Sequence, residues 1–108
     1  MRRWVQPLAE ALARGEGAVL VHLAELKGSG PREVGAQMLI TEVGLEGTIG
    51  GGELEQAAIR KARELLQAGR GALLRLALGP ELNQCCGGSV VLAFEPFAPA
   101  DLAWLTKL

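Results

Sequence analysis

Near residue 50 the chain changes its hydrophobic period, and that switch constrains the fold more than any other feature. Upstream, Val19, Val21 and Leu23 alternate within the apolar run Ala18 to Leu26, the mark of a buried strand. Downstream, Leu54, Ala58, Ala62, Leu65 and Leu66 recur at helical spacing, with Glu55, Arg60, Lys61, Arg63 and Glu64 on the remaining surface. Gly47-Thr48-Ile49-Gly50-Gly51-Gly52 stands at the junction, so a strand runs through a glycine-rich turn directly into a helix over 53–68. Glu53 and Glu55 fall in the first turn, where the helix dipole favours carboxylates, and Gly69 is placed to end the helix.

Such a turn has two readings. Backbone without Cβ atoms lets a ligand come close, and the first helical N–H groups have no intrahelical partner, so Gly50, Gly51 and Gly52 could receive an anion such as phosphate. The same glycines could instead serve only a tight strand-to-helix connection. Two further glycine-containing segments lie between elements, where loops on a rigid scaffold carry function: Gly28-Ser29-Gly30-Pro31-Arg32 with Gly35-Ala36, and Gln84-Cys85-Cys86-Gly87-Gly88.

The remaining elements follow from pattern. Trp4, Val5, Leu8, Ala11 and Leu12 predict an amphipathic helix over 3–14. Strands are expected at 37–41 and 45–49 around a hairpin turn at Glu42-Val43-Gly44, and again at 72–78 and 89–95, with Pro96 and Pro99 closing the sheet region. Residues 101–108 read as one or two helical turns or as a docking tail. This order predicts one domain over 1–108, α+β or α/β, with a mixed five-stranded sheet and two main helices packed against it. With two Phe, two Trp and no Tyr, the core has to be aliphatic.

Charge and cysteine content exclude several classes. A net charge of −1 supplies no field for gathering nucleic acid. No apolar run is long enough to span a bilayer, and Gln6, Pro7, Glu10 and Arg14 interrupt any leader-like segment, so no membrane partner and a cytoplasmic location are expected. Two adjacent cysteines cannot staple distant parts of a fold, and one histidine, His22, makes a poor zinc site with them. His22 falls inside a strand, where a hydrogen-bonded filler is the ordinary role.

Pro31 restrains the backbone before Arg32, whose guanidinium is then either aimed at phosphate or carboxylate or left solvated. Cys86 abuts Gly87-Gly88, which permit close approach, and its thiolate could meet a soft metal. Buried packing is the default for at least one of the two cysteines.

Taken together in this order, Gly28-Ser29-Gly30-Pro31-Arg32 with Gly35, Ala36 and Met38, then Gly47 through Glu55, then Cys86-Gly87-Gly88 with Val90 and Glu95, resemble the N-terminal domain of the XdhC/CoxI family, accessory proteins of xanthine dehydrogenase and related molybdenum hydroxylases. The resemblance implies a chaperone, not an enzyme. It would bind the molybdenum cofactor, molybdopterin, hold it during terminal sulfuration, and deliver it to an apo-hydroxylase. Ser29, Arg32, Thr48, Gly50, Gly51, Gly52, Glu53, Cys86, Gly87 and Gly88 are the implied cofactor-binding residues, with Cys86 reaching the molybdenum and no catalytic residue. A cysteine desulfurase and a homodimeric partner copy are further implied associates. Full-length relatives of the family continue into a dinucleotide-binding-like domain that this sequence does not contain, which implies either a separate chain that supplies it or a stand-alone form with reduced function. The competing classes are a thiol-dependent sulfur transferase using Cys86, for which no general base is evident, and a non-catalytic interaction subunit.

Overall fold

The computed structural model describes residues 5–27, 35–49, 51–77 and 89–105. Within them lie α1 (Val5–Ala13), β1 (Ala18–Lys27), β2 (Gln37–Ile40), β3 (Leu45–Gly47), α2 (Gly52–Ala68), β4 (Ala72–Ala77), β5 (Ser89–Phe97), a 3-10 turn (Pro99–Asp101) and α3 (Leu102–Leu105). The architecture is α+β, with the strands in the order β3-β2-β1-β5-β4.

The alternation in the sequence sorts the sheet into two faces. Val19, Val21 and Leu23 of β1, Met38 and Ile40 of β2, and Val90, Leu92 and Phe94 of β5 point to one side. There α2 covers them with Leu54, Ala58, Ile59, Ala62 and Leu65, which is the face its 3.6-residue period requires. Ala18, Leu20, Leu39 and Phe97 point to the other side, where Leu8 and Leu12 of α1 and Leu105 of α3 cover them. Both main helices therefore pack on the sheet, one on each face.

Every pairing in the sheet is antiparallel, which corrects the expectation of a mixed sheet. The reason lies in where the helical crossover lands. β3 and β4 run in the same direction and α2 joins them, as in a parallel unit. They occupy opposite edges, however, with β2, β1 and β5 between them, so the two never become neighbours.

Local chemistry sets the ends of the elements. Gly69 adopts a left-handed conformation (φ 71°) and donates its N–H to the Leu65 carbonyl at 2.7 Å, closing α2 where expected. The Glu42-Val43-Gly44 turn is closed from both ends by Thr41, whose N–H reaches the Gly44 carbonyl at 3.0 Å and whose hydroxyl accepts the Gly44 N–H at 3.0 Å. β5 does not stop before Pro96 but continues through it to Phe97. A Cβ on Gly71 would stand 2.8 Å from the Phe94 carbonyl oxygen, so that carbonyl faces the β4 side. Pro96, two residues on, faces the same side beyond the last β4 pair, Ala72 with Phe94, where no ladder donor is required.

Candidate functional site

The sheet sets the points where the chain departs toward two of the glycine-containing segments side by side. Lys27, the last residue of β1, pairs with Ser89, the first of β5, and Ser89 also pairs with Ala77, the last of β4. The chain therefore leaves for residues 28–34 and for residues 78–88 from adjacent positions in one row. β3 runs antiparallel to β2 and ends at Gly47, opposite Met38, close to the start of β2. The glycine turn and the N-terminus of α2 consequently sit at that same end. Return of the chain into β2 is fixed by the Gly35 N–H on the Leu23 carbonyl and the Leu23 N–H on the Ala36 carbonyl, both 2.9 Å.

Of the residues proposed from sequence, Thr48, Gly51, Gly52 and Glu53 lie within the described residues. Ser29, Arg32, Gly50, Cys86, Gly87 and Gly88 lie outside them, as does Cys85. Ile49 is fully buried and roots the turn in the core beneath α2. Gly51 takes φ 75° and ψ −169°, a region that belongs to glycine, and among the described residues beyond its chain neighbours no heavy atom lies within 4 Å of where its Cβ would be. Among those residues its backbone conformation alone calls for glycine. Gly52 and Glu53, the first two residues of α2, are exposed.

The residue that organises this turn is Glu55, which the sequence reading placed in the first helical turn without a specific role. Its Oε1 accepts hydrogen bonds from the Gly51 N–H at 3.0 Å, from the Ile49 N–H at 3.3 Å and from the Thr48 hydroxyl. The arrangement resembles half of a capping box displaced by one residue: a carboxylate from the fourth helical position, not the third, reaches back to the N-cap N–H, while Gly51, lacking a side chain, offers nothing in return. One amide of the anticipated anion cradle, that of Gly51, and the neighbouring Ile49 amide are thus already committed to a carboxylate of the same chain. A glutamate one turn into a helix, preceded by a hydroxyl residue on the entering strand, is the signal that could have revealed it.

Among the described residues no group of three or more His, Cys, Asp and Glu side chains is assembled to hold a metal ion. His22 lies in β1 between Gln37 and Ala93 and is half-buried. Its Nδ1 is buried without a hydrogen-bond partner, so the expected hydrogen-bonded filler is not what the described residues show. No helix among them is long and apolar enough to cross a membrane. Between α1 and the β2–β3 hairpin there is a cleft of about 220 Å³, lined by Pro7, Arg14, Leu39, Thr41 and Leu45 among others, away from the glycine turn.

The glycine turn, α2 and the strands around them fall within residues 11–77, and over that range the chain matches the model of the XdhC and CoxI family. The chain belongs to the XdhC and CoxI family. It is similar to the molybdenum cofactor insertion chaperone PaoD of Escherichia coli (strain K12), with 38% identity over 105 residues, 92% of this chain and 33% of that protein. It is also similar to a crystal structure described as a xanthine dehydrogenase from Bacillus halodurans, with a TM-score of 0.79 and 25% identity over 95% of this chain and 33% of that one. This XdhC and CoxI family chain therefore spans about a third of the length of the relatives it matches.

Proposed function

We propose that this chain binds the molybdenum cofactor as cargo and serves its insertion into xanthine dehydrogenase-type hydroxylases, acting as an accessory chaperone without turnover of its own. The observation that carries the reading is the 38% identity, over 92% of the chain, to a protein named as a molybdenum cofactor insertion chaperone. On this reading the cofactor is held while its terminal sulfur is installed by a cysteine desulfurase, then passed to the apo-hydroxylase, in the cytoplasm.

The proposed contacts are Ser29, Arg32, Thr48, Gly50, Gly51, Gly52, Glu53, Cys86, Gly87 and Gly88. The chemistry of the described donors and acceptors fits such a ligand in a particular way. Molybdopterin presents a phosphate, a metal-binding dithiolene and a pterin edge rich in N–H donors. Since the Gly51 and Ile49 amides are taken by Glu55, the phosphate is better matched by the guanidinium of Arg32. Exposed Glu53 suits an N–H donor, and beside Gly51 the described residues beyond its chain neighbours leave room for a flat ring edge. Cys86 is assigned the soft metal end.

The test is co-elution. After incubation with molybdopterin, pterin fluorescence should travel with the protein on gel filtration, and Cys86→Ser should retain less of it than Cys85→Ser while both variants keep the wild-type circular dichroism. Pterin eluting wholly apart from the protein would overturn the reading, and loss confined to Cys85→Ser would transfer the metal contact to Cys85.

A further inference from the structure

Three donors converge on one oxygen in the glycine turn: the Thr48 hydroxyl, the Ile49 N–H at 3.3 Å and the Gly51 N–H at 3.0 Å, all on Glu55 Oε1. Both sides of this arrangement are anchored. Ile49 is fixed in the core, and the backbone of Glu55 belongs to α2, its N–H directed at the Gly51 carbonyl at 3.4 Å. Hydrogen bonds to an ionised acceptor are roughly twice as strong as neutral ones, and a carboxylate in the first helical turn also meets the positive end of the dipole. The carboxylate therefore draws Thr48, Ile49 and Gly51 back onto their own helix. Gly51, held at φ 75° and ψ −169°, cannot relax without straining these bonds.

We propose that Glu55 is a positioning residue for cofactor binding: it meets no ligand itself, but sets the shape in which Thr48, Gly51 and Gly52 present themselves to one. The identity of the ligand rests on the cofactor-binding reading above, whereas the hold of Glu55 on the turn does not. Removing the carboxylate takes an acceptor away from two amides and one hydroxyl together, so the turn loses a common acceptor and not a single contact. Outer groups that orient ligand-contacting residues typically contribute about 10- to 100-fold in affinity, which sets the scale of the expected effect.

Two variants separate position from charge. Glu55→Gln keeps a carbonyl oxygen where Oε1 stands and loses the charge, while Glu55→Ala removes the acceptor. Amide hydrogen exchange at Ile49 and Gly51 is measured without ligand, and molybdopterin affinity is measured by pterin fluorescence. Glu55→Gln should keep both amides protected and bind within a few-fold of wild type. Glu55→Ala should exchange both amides at least about 10-fold faster and bind at least about 10-fold more weakly. Undiminished affinity in Glu55→Ala would overturn the proposal, as would a Glu55→Gln protein whose amides stay protected while affinity falls as far as in Glu55→Ala, since Glu55 would then contact the ligand directly. Absence of pterin binding by the wild type would sink the cofactor reading, and with it the functional half of this proposal. The exchange measurement would still decide whether Glu55 holds the turn.

Discussion

Gly47 and Gly51 bound the same turn and both take positive φ, yet different physics requires them. At Gly47 (φ 83°) an added Cβ would stand 2.6 Å from the Gln37 carbonyl oxygen, against backbone that pairs with β1 and cannot give way. At Gly51 (φ 75°) no atom of the described residues beyond its chain neighbours lies within 4 Å, so among them only the backbone conformation opposes a side chain. Gly47→Ala is expected to lower stability by about 2–4 kcal/mol, combining left-handed strain with a steric clash, and Gly51→Ala by about 1–2 kcal/mol from strain alone. Urea unfolding of the two variants checks the order, and equal losses would refute it. The glycine run is plain in the sequence, but which glycine is compelled by packing depends on strand register, which composition does not encode. A second residue-scale prediction concerns Asp101. The Trp104 indole N–H donates to its Oδ1 at 2.9 Å and the Ala98 N–H to its Oδ2 at 2.8 Å, and these bonds hold its carboxyl below the usual range. A carboxyl depressed in the folded state contributes its stability above the unfolded value, about 3.9, and loses it as pH falls through the lower, folded value. In a Trp4→Phe background, Trp104 fluorescence should therefore change on acidification below pH ~4, and adding Asp101→Asn should abolish that step.

At the scale of elements, α2 is the part most fully legible from sequence, because seventeen residues with one apolar stripe and a glycine stop admit few alternatives. Its attachment to the hairpin was not legible. Arg63, on the flank of that stripe, donates its Nε–H to the Thr41 carbonyl at 3.1 Å, while Gln67 reaches Glu42 at 3.1 Å. Thr41 also closes the hairpin turn with its own hydroxyl, so one residue joins the hairpin's shape to the helix. Arg63→Ala should cost about 1.5–3 kcal/mol, the range for a hydrogen bond from a charged group, and Arg63→Lys should recover part of it. A melting temperature unchanged in Arg63→Ala would show the contact to be solvated and idle. The mixed sheet was expected because strand, helix and strand follow one another through 45–77, a succession that ordinarily sets parallel neighbours side by side. Nothing in periodicity says that the second strand will land on the far edge, because edge choice is settled by which strands β5 pairs with, residues away in sequence.

For the whole molecule, the sheet is a single partition between two apolar layers, and β1 and β5 contribute to both. Val19, Val21 and Leu23 face α2, while Ala18 and Leu20, their immediate neighbours in β1, face α1 and α3. In β5, Val90, Leu92 and Phe94 serve the first layer and Phe97 the second. These strands and the edge strand β4 carry the row Lys27, Ser89 and Ala77, from which the chain departs into the segments read as ligand loops. That the chain departs from neighbouring positions was foreshadowed in the sequence only by the glycines the two segments have in common, since spatial neighbourhood arises from strand order. If the strands are shared, neither layer can open without exposing the backs of residues that the other buries, and the domain should unfold as one unit. Two probes can follow the layers separately. Trp104 lies 6.1 Å from the Phe97 ring, on the α1 and α3 side, and in a Trp4→Phe protein it reports that layer by fluorescence. Ellipticity at 222 nm is dominated by α2, the longest helix described, and reports the other. The two signals should give coincident urea midpoints and equal slopes. Loss of the fluorescence signal at clearly lower urea, with α2 still intact, would mean that α1 and α3 open as a separate unit of lower stability, and that the α2 layer alone carries the end of the sheet where the glycine turn lies.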